Sequence, residues 1–182
     1  QCRALGADVE VHPQREYGDL TVARWGGNGN ADDKPLLVMT HIDTVWPLGT
    51  IERKPFSVEG DIARGPGIFD MKASVAMMLE AVRLIRERDL PHRPIQWLIN
   101  TEEEVGSPVS RPLIEELARG SAYVLCLEPP IPPEGKLKTF RKGVGMFTMR
   151  ITGIAAHAGA DPEKGASAIQ ELANQILYLH SL

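Results

Sequence analysis

The chain has 182 residues, with 43% hydrophobic and 24% charged residues, the composition of an ordinary globular protein. That length suits one domain with a sizeable core, or one domain and part of another. A formal net charge of −4 without any Lys/Arg cluster excludes a nucleic-acid-binding surface, and no apolar run approaches the roughly 20 residues that span a bilayer.

Residues 7–12 and 19–25 alternate as strands do, joined by a polar turn at Gly18-Asp19. The turn-rich stretch Gly26 to Asp33 is expected to be a surface hairpin tip. Pro35 to Thr40 is apolar without alternation, as buried parallel strands are. From Asp70 to Arg88, Val75, Met78, Leu79, Val82 and Ile85 recur at helical spacing, with Asp70 at the helix start, where a carboxylate suits the macrodipole. Ile95 to Asn100 is a second buried strand, Pro112 to Arg119 a short helix ending at Gly120, and Tyr123 to Leu127 a third strand with Cys126 expected in the core. Strands alternating with helices predict an α/β fold with a central, mostly parallel sheet and helical crossovers. Two cysteines, Cys2 and Cys126, make no disulfide framework.

Four prolines in the five positions 129–133 form a stiff break. We therefore expect one domain over residues 1–135 and the beginning of an α+β domain over 136–182. The latter should hold a strand from Gly145 to Thr152, a loop with His157 and a helix from Ser167 to Leu182. The chain begins at Gln1 without an initiator methionine or a secretory signal pattern, and stops inside or just after a helical pattern. A piece of a longer protein is expected, and localisation is not readable from the N-terminus.

The chemistry lies in residues that follow or closely neighbour the buried strands, where α/β proteins gather their ligands. His41 and Asp43 are two apart and share a face, so the carboxylate can accept a ring N–H and fix the tautomer. Taken alone, the pair fits better a histidine and an aspartate at a strand end that hydrogen-bond local backbone. Asp70 reads as a helix N-cap or as a carboxylate bridging two cations. Glu102, Glu103 and Glu104 repel one another at the mouth of the sheet unless a cation offsets them, and Glu128 completes the set. Oxygen-rich donors with one histidine suit zinc, cobalt or manganese.

The stretches THIDTVWPLGT, GPGIFDMKAS, NTEEEVGS, CLEPP and AAHAGADPEKGASAI, in this order from about Pro35 to the end of the chain, resemble the zinc-dependent M20 metallopeptidases. The likeness is to their glutamate carboxypeptidase (carboxypeptidase G2-like) branch. The resemblance implies a zinc-peptidase-like catalytic domain followed by a lid domain that mediates homodimerisation. It implies two divalent ions, zinc first and cobalt or manganese as alternatives. His41 is then a ligand of one ion, oriented by Asp43, and Asp70 bridges both. Glu104 ligates the ion on the His41 side, Glu128 the other, and Glu103 is the general base; Val105-Gly106-Ser107 sets this register. His157 matches a lid histidine that contacts substrate in the partner's site. One departure is plain: the family's second ion takes a histidine near the end of the full-length chain, and none of His12, His92 or His180 fits that place.

The implied reaction is hydrolysis of an amide bond, with Glu103 taking a proton from water and returning it to the leaving amine. The expected substrate is a small peptide or N-acyl amino acid, releasing a C-terminal residue, glutamate among the candidates. An N-acyl amino acid deacylase is the enzymatic rival, and a non-catalytic α/β binding module the rival of another class. The retained base Glu103 argues against the module.

Overall fold

A computed structural model of the chain describes residues 1–30 and 32–182. Strands β1 (Asp8–His12) and β2 (Leu20–Trp25) come first, and Asp19 Oδ1 accepts the Gln14 N–H at 3.0 Å in the turn between them. Strand β3 (Leu36–His41) is followed by a single-turn helix α1 (Thr50–Arg53) and a small hairpin of β4 (Ser57–Glu59) and β5 (Ile62–Arg64). Helix α2 (Ala73–Glu87), β6 (Ile95–Asn100), α3 (Arg111–Gly120) and β7 (Tyr123–Cys126) complete the elements of a compact unit, Gln1–Leu137. A second unit, Lys138–Leu182, contains α4 (Ala168–His180), whose N-cap Ser167 accepts the Gln170 N–H at 3.2 Å.

The sheet order is β1-β2-β6-β3-β7. β3 pairs in parallel with β6 and β7, while β2 is antiparallel to both β6 and β1. Four strands therefore run one way and β2 alone runs back. The three parallel strands lie side by side, so their carboxyl ends open on one edge.

Both faces of the sheet are covered over its central strands, which explains why β3 and β6 read as buried apolar strands without alternation. On one face Ala23, Val38 and Trp97 pack against Met78 and Val82 of α2. On the other Val22, Leu37 and Leu98 pack against Leu117 of α3. Trp97 is 1% exposed, and its indole N–H donates to Thr40 Oγ1 at 2.9 Å, satisfying two buried polar groups beneath the site.

Three expectations are corrected. The 26–33 loop, of which Ala31 lies outside the described residues, is not a hairpin tip, because β6 separates β2 from β3. It is tied instead to the approach to β6, with Asn28 N–H donating to His92 O and His92 N–H to Asn28 Oδ1. Cys126 is exposed rather than in the core, since β7 is the last strand of the sheet and all four of its residues are exposed. Residues 145–152 form no strand; in that region only the bridge Ile154–Ala166 is made among the described residues. Alternation supplies a face to bury, but a strand also needs a partner to take its backbone hydrogen bonds.

Candidate metal centre and active site

β3 ends in His41, which stands in register with Asn100 at the end of β6. Met39 pairs with Cys126, so the same register carries Glu128, just beyond β7, alongside His41. Asp70 arrives from a wide turn, Ile68–Lys72, before α2. It has extended backbone angles (φ −121°, ψ 97°) and caps nothing, because α2 begins three residues later with Lys72 at its N-cap. The Asp70 side chain is thereby free to face the strand ends. Met71 anchors this turn: its side chain is buried, and its sulfur accepts the His41 backbone N–H at 3.3 Å.

His41 lies at the bottom of the cluster with 2% of its side chain exposed. Its Nε2 is 3.0 Å from Asp70 Oδ1, 3.4 Å from Glu128 Oε1 and 3.9 Å from Glu103 Oε2. On the other side of the ring, Nδ1 is 3.1 Å from the carbonyl oxygen of Asp43 and 3.3 Å from its Oδ1. The backbone carbonyl accepts the Nδ1 proton, and the carboxylate acts beside it through its charge; Asp43 Oδ1 is itself buried without a hydrogen bond. Asp43 Oδ2 accepts the backbone N–H of Glu104 at 2.9 Å. Asp43 thus joins the loop after β3 to the loop after β6.

The structure gathers His41, Asp43, Asp70, Glu103, Glu104 and Glu128 in the first unit. Two sets of donor atoms converge to within 4.8 Å, His41–Asp70–Glu104 and His41–Glu103–Glu128, and neither holds a second histidine. His157 belongs to the second unit, exposed in a turn where its Nδ1 accepts the Gly159 N–H at 3.1 Å.

With the Nδ1 proton donated to the Asp43 carbonyl, deprotonation of Nε2 turns its lone pair toward the oxygens of Asp70, Glu128 and Glu103, which are acceptors too once ionised. A cation resolves such a clash of acceptors, and the donor set suits a divalent ion. The same crowding shifts the titrations. Burial depresses the His41 pKa, but the carboxylates of Asp43, Asp70, Glu128 and Glu103 outweigh it, and the net shift is upward. Burial, then repulsion from Glu104, Asp43 and Asp70, raises Glu103 against the opposing pull of His41. Glu128 rises through burial and through Asp70.

Sequence reasoning left one member of the triple glutamate without a role. Glu102 is 1% exposed and turned away from the cluster, its oxygens taken by the backbone N–H groups of Val109 and Ser110 at 3.1 Å each. The run of three identical residues carries no signal of this difference; Val105-Gly106-Ser107 behind it set the register, but not what Glu102 would meet. It leaves Glu103 and Glu104 as the pair facing His41. The turn they occupy closes at Gly106, whose φ of 91° favours glycine.

A three-layer α/β unit whose sheet edge carries a histidine and converging carboxylates defines a protein with the donor set of a divalent-metal centre. The chain belongs to peptidase family M20/M25/M40, whose sequence profile matches residues 37–178. It is 42% identical to carboxypeptidase G2 of Pseudomonas sp. (strain RS-16) over 161 residues, which is 88% of this chain and 38% of that protein. It is 30% identical to acetylornithine deacetylase of Proteus mirabilis (strain HI4320) over 185 residues, 98% of this chain and 45% of the relative. The chain therefore spans less than half the length of these relatives. Among solved structures, aminopeptidase PepT of Bacillus cereus ATCC 10987 superposes with a TM-score of 0.67 at 24% identity, over 97% of this chain and 48% of that one. The M20 family metallo-carboxypeptidase Sso-CP2 of Sulfolobus solfataricus gives a TM-score of 0.59 at 20% identity, over 74% of this chain and 31% of the other. At these identities the structural likeness is one of fold.

Proposed function

We propose that this chain carries the base and most of the metal ligands of a metal-dependent amide hydrolase that releases a C-terminal amino acid from a small peptide or N-acyl conjugate. One observation carries this reading: His41, Asp70, Glu103, Glu104 and Glu128 converge at the sheet edge, which supplies enough carboxylates for one to act as base beside those that would hold metal. Two divalent ions, zinc in first place, would polarise the amide carbonyl and lower the pKa of a water. His41, Asp70, Glu104 and Glu128 would hold the ions: the convergence of His41, Asp70 and Glu104 supports the place that the motif order gave to Glu104, and the 3.4 Å from Glu128 Oε1 to His41 Nε2 supports Glu128 on the His41 side as well.

Glu103 takes the proton of the attacking water and passes it to the departing amine; burial raises its pKa above the ordinary carboxylate value, which makes it a stronger base. Asp43 keeps the His41 ring oriented, with Nε2 toward the carboxylates. His157 is assigned to the substrate carboxylate or the oxyanion, supplied by the second unit of a partner subunit in a homodimer. The exposed Ile169 and Leu177 of α4 support such an interface.

The similarity to carboxypeptidase G2 keeps glutamate among the candidate released residues, and that to acetylornithine deacetylase favours N-acyl amino acid deacylation as the second reading. Zinc-loaded protein assayed on N-acyl-glutamate, other N-acyl amino acids and dipeptides separates the two, with bound metal quantified in the same preparation. Protein that takes up no divalent ion would instead be a binding module on a peptidase scaffold.

A further inference from the structure

The glutamate that faces away from the cluster has a consequence for the two that face it. Glu102 buries a carboxylate with no lysine, arginine or histidine within ion-pair distance among the described residues, an arrangement that is costly unless hydrogen bonds compensate. The compensation is backbone: Val109 N–H donates to Oε2 and Ser110 N–H to Oε1, at the start of the ten-residue helix α3, where the dipole also favours a negative charge. Ser110 is the N-cap of that helix, yet its side chain makes no capping bond. Its hydroxyl instead accepts the Asn100 Nδ2 amide at 3.1 Å, and the same amide donates to Ser107 Oγ at 3.0 Å. Asn100 Oδ1 accepts the N–H groups of Thr101 (2.6 Å) and Glu102 (3.1 Å), and Glu102 O accepts the Ser107 N–H at 3.0 Å.

These bonds close a ring of chain from Asn100 to Ser110. Glu103 and Glu104 sit on the one short turn in that ring which points at His41. The ring is tied to the rest of the site through Asn100, which ends β6 and accepts the Ile42 N–H at 2.9 Å, and through Asp43, which accepts the Glu104 N–H.

We propose that Glu102 is a positioning residue: its buried carboxylate, clamped to the backbone of Val109 and Ser110, fixes the turn that presents Glu103 and Glu104 to the cluster, and so governs turnover without touching substrate. The proposal rests on the hydrolase reading above for its kinetic arm only. Displacing a base or ligand by about 1 Å is enough to cost on the order of a hundredfold in rate, and removing a supporting partner of a metal site costs about 10–100-fold.

Glu102→Gln keeps the size of the side chain but sets an amide NH2 against one of the two backbone donors; Glu102→Ala removes both acceptors. Both variants are loaded with zinc for kinetics and with cobalt for visible absorption, and their melting temperatures are recorded. The expected result is a kcat lowered at least about tenfold in Glu102→Gln with KM within about twofold, a larger loss in Glu102→Ala, and a cobalt spectrum changed in both. Should Glu102→Ala not fold, Glu102→Gln alone carries the test. A lowered melting temperature with kcat per metal-loaded molecule and cobalt spectrum both unchanged overturns the proposal and leaves Glu102 as a purely structural clamp. If the unmodified protein hydrolyses no amide, the hydrolase reading fails, and the cobalt spectrum still decides the role of Glu102: a change supports positioning, and identity with the unmodified protein overturns it.

Discussion

Asp43 Oδ2 accepts the backbone N–H of Glu104 at 2.9 Å, so one carboxylate spans the gap between the loop that holds the histidine and the loop that holds the glutamates. The Nδ1 proton of His41 goes to the carbonyl of the same residue, which survives any side-chain substitution there. The two functions of Asp43 are therefore separable by mutation. Asp43→Asn keeps an oxygen for Glu104 and loses only the charge beside the imidazole, and should weaken zinc binding about tenfold. Asp43→Ala also frees the Glu104 turn and should approach a hundredfold loss. Equilibrium dialysis against zinc measures both; equal losses would show that the tether to Glu104 contributes nothing.

Glu103 is assigned to proton transfer, and its neighbour Glu104 to the metal. Glu103→Gln should therefore retain bound metal and lose at least about two orders of magnitude in kcat, the usual scale for a general base. Glu104→Gln should lose metal along with activity. Near-normal turnover in Glu103→Gln, measured at saturating substrate, would falsify the assignment.

The raised titrations predict how pH and metal act together. Glu103 and Glu128 stand above their ordinary 4.5 and His41 above its ordinary 6.5, so the folded metal-free protein holds these protons more tightly than the unfolded chain. Their contribution to stability is complete below the unfolded values and is lost as pH rises through the folded ones. A divalent ion needs the deprotonated forms and acts in the opposite direction. Added zinc should hence raise the melting temperature little at pH 5 and markedly at pH 8. Thermal unfolding with and without zinc at both values checks the sign.

Beneath the cluster, Trp97 fills the α2-facing core and satisfies Thr40, the residue before His41. Trp97→Ala should destabilise the protein by about 3–5 kcal/mol, the range for emptying a buried aromatic site. Trp97→Phe retains most of the packing but leaves the Thr40 hydroxyl unsatisfied, and should cost about 1–3 kcal/mol. Denaturant unfolding distinguishes the two, and the second variant reports how far the floor of the site depends on that single hydrogen bond.

The sequence by itself determined the strands that carry the ligands, because a strand buried on both faces must be apolar throughout. The strands expected at Pro35–Thr40 and Ile95–Asn100 form as Leu36–His41 and Ile95–Asn100. It also named the candidate ligands, since metal chemistry restricts the residue types and the motifs keep their order. What it did not contain was pairing. Residues 145–152 alternate correctly and form no strand; Cys126 is apolar in context and lies on an exposed sheet edge; Asp70 stands before a helix and does not cap it.

The same holds within the triple glutamate. Three identical side chains acquire different parts only when β6 ends beside β3 and α3 offers two backbone N–H groups to the first of them. Residue type fixes what a side chain is able to do. Which neighbour it meets depends on where its hydrogen-bond partners fold: the motif register singled out Glu103 and Glu104, and only the tertiary structure decided that Glu102 would face the backbone of Val109 and Ser110.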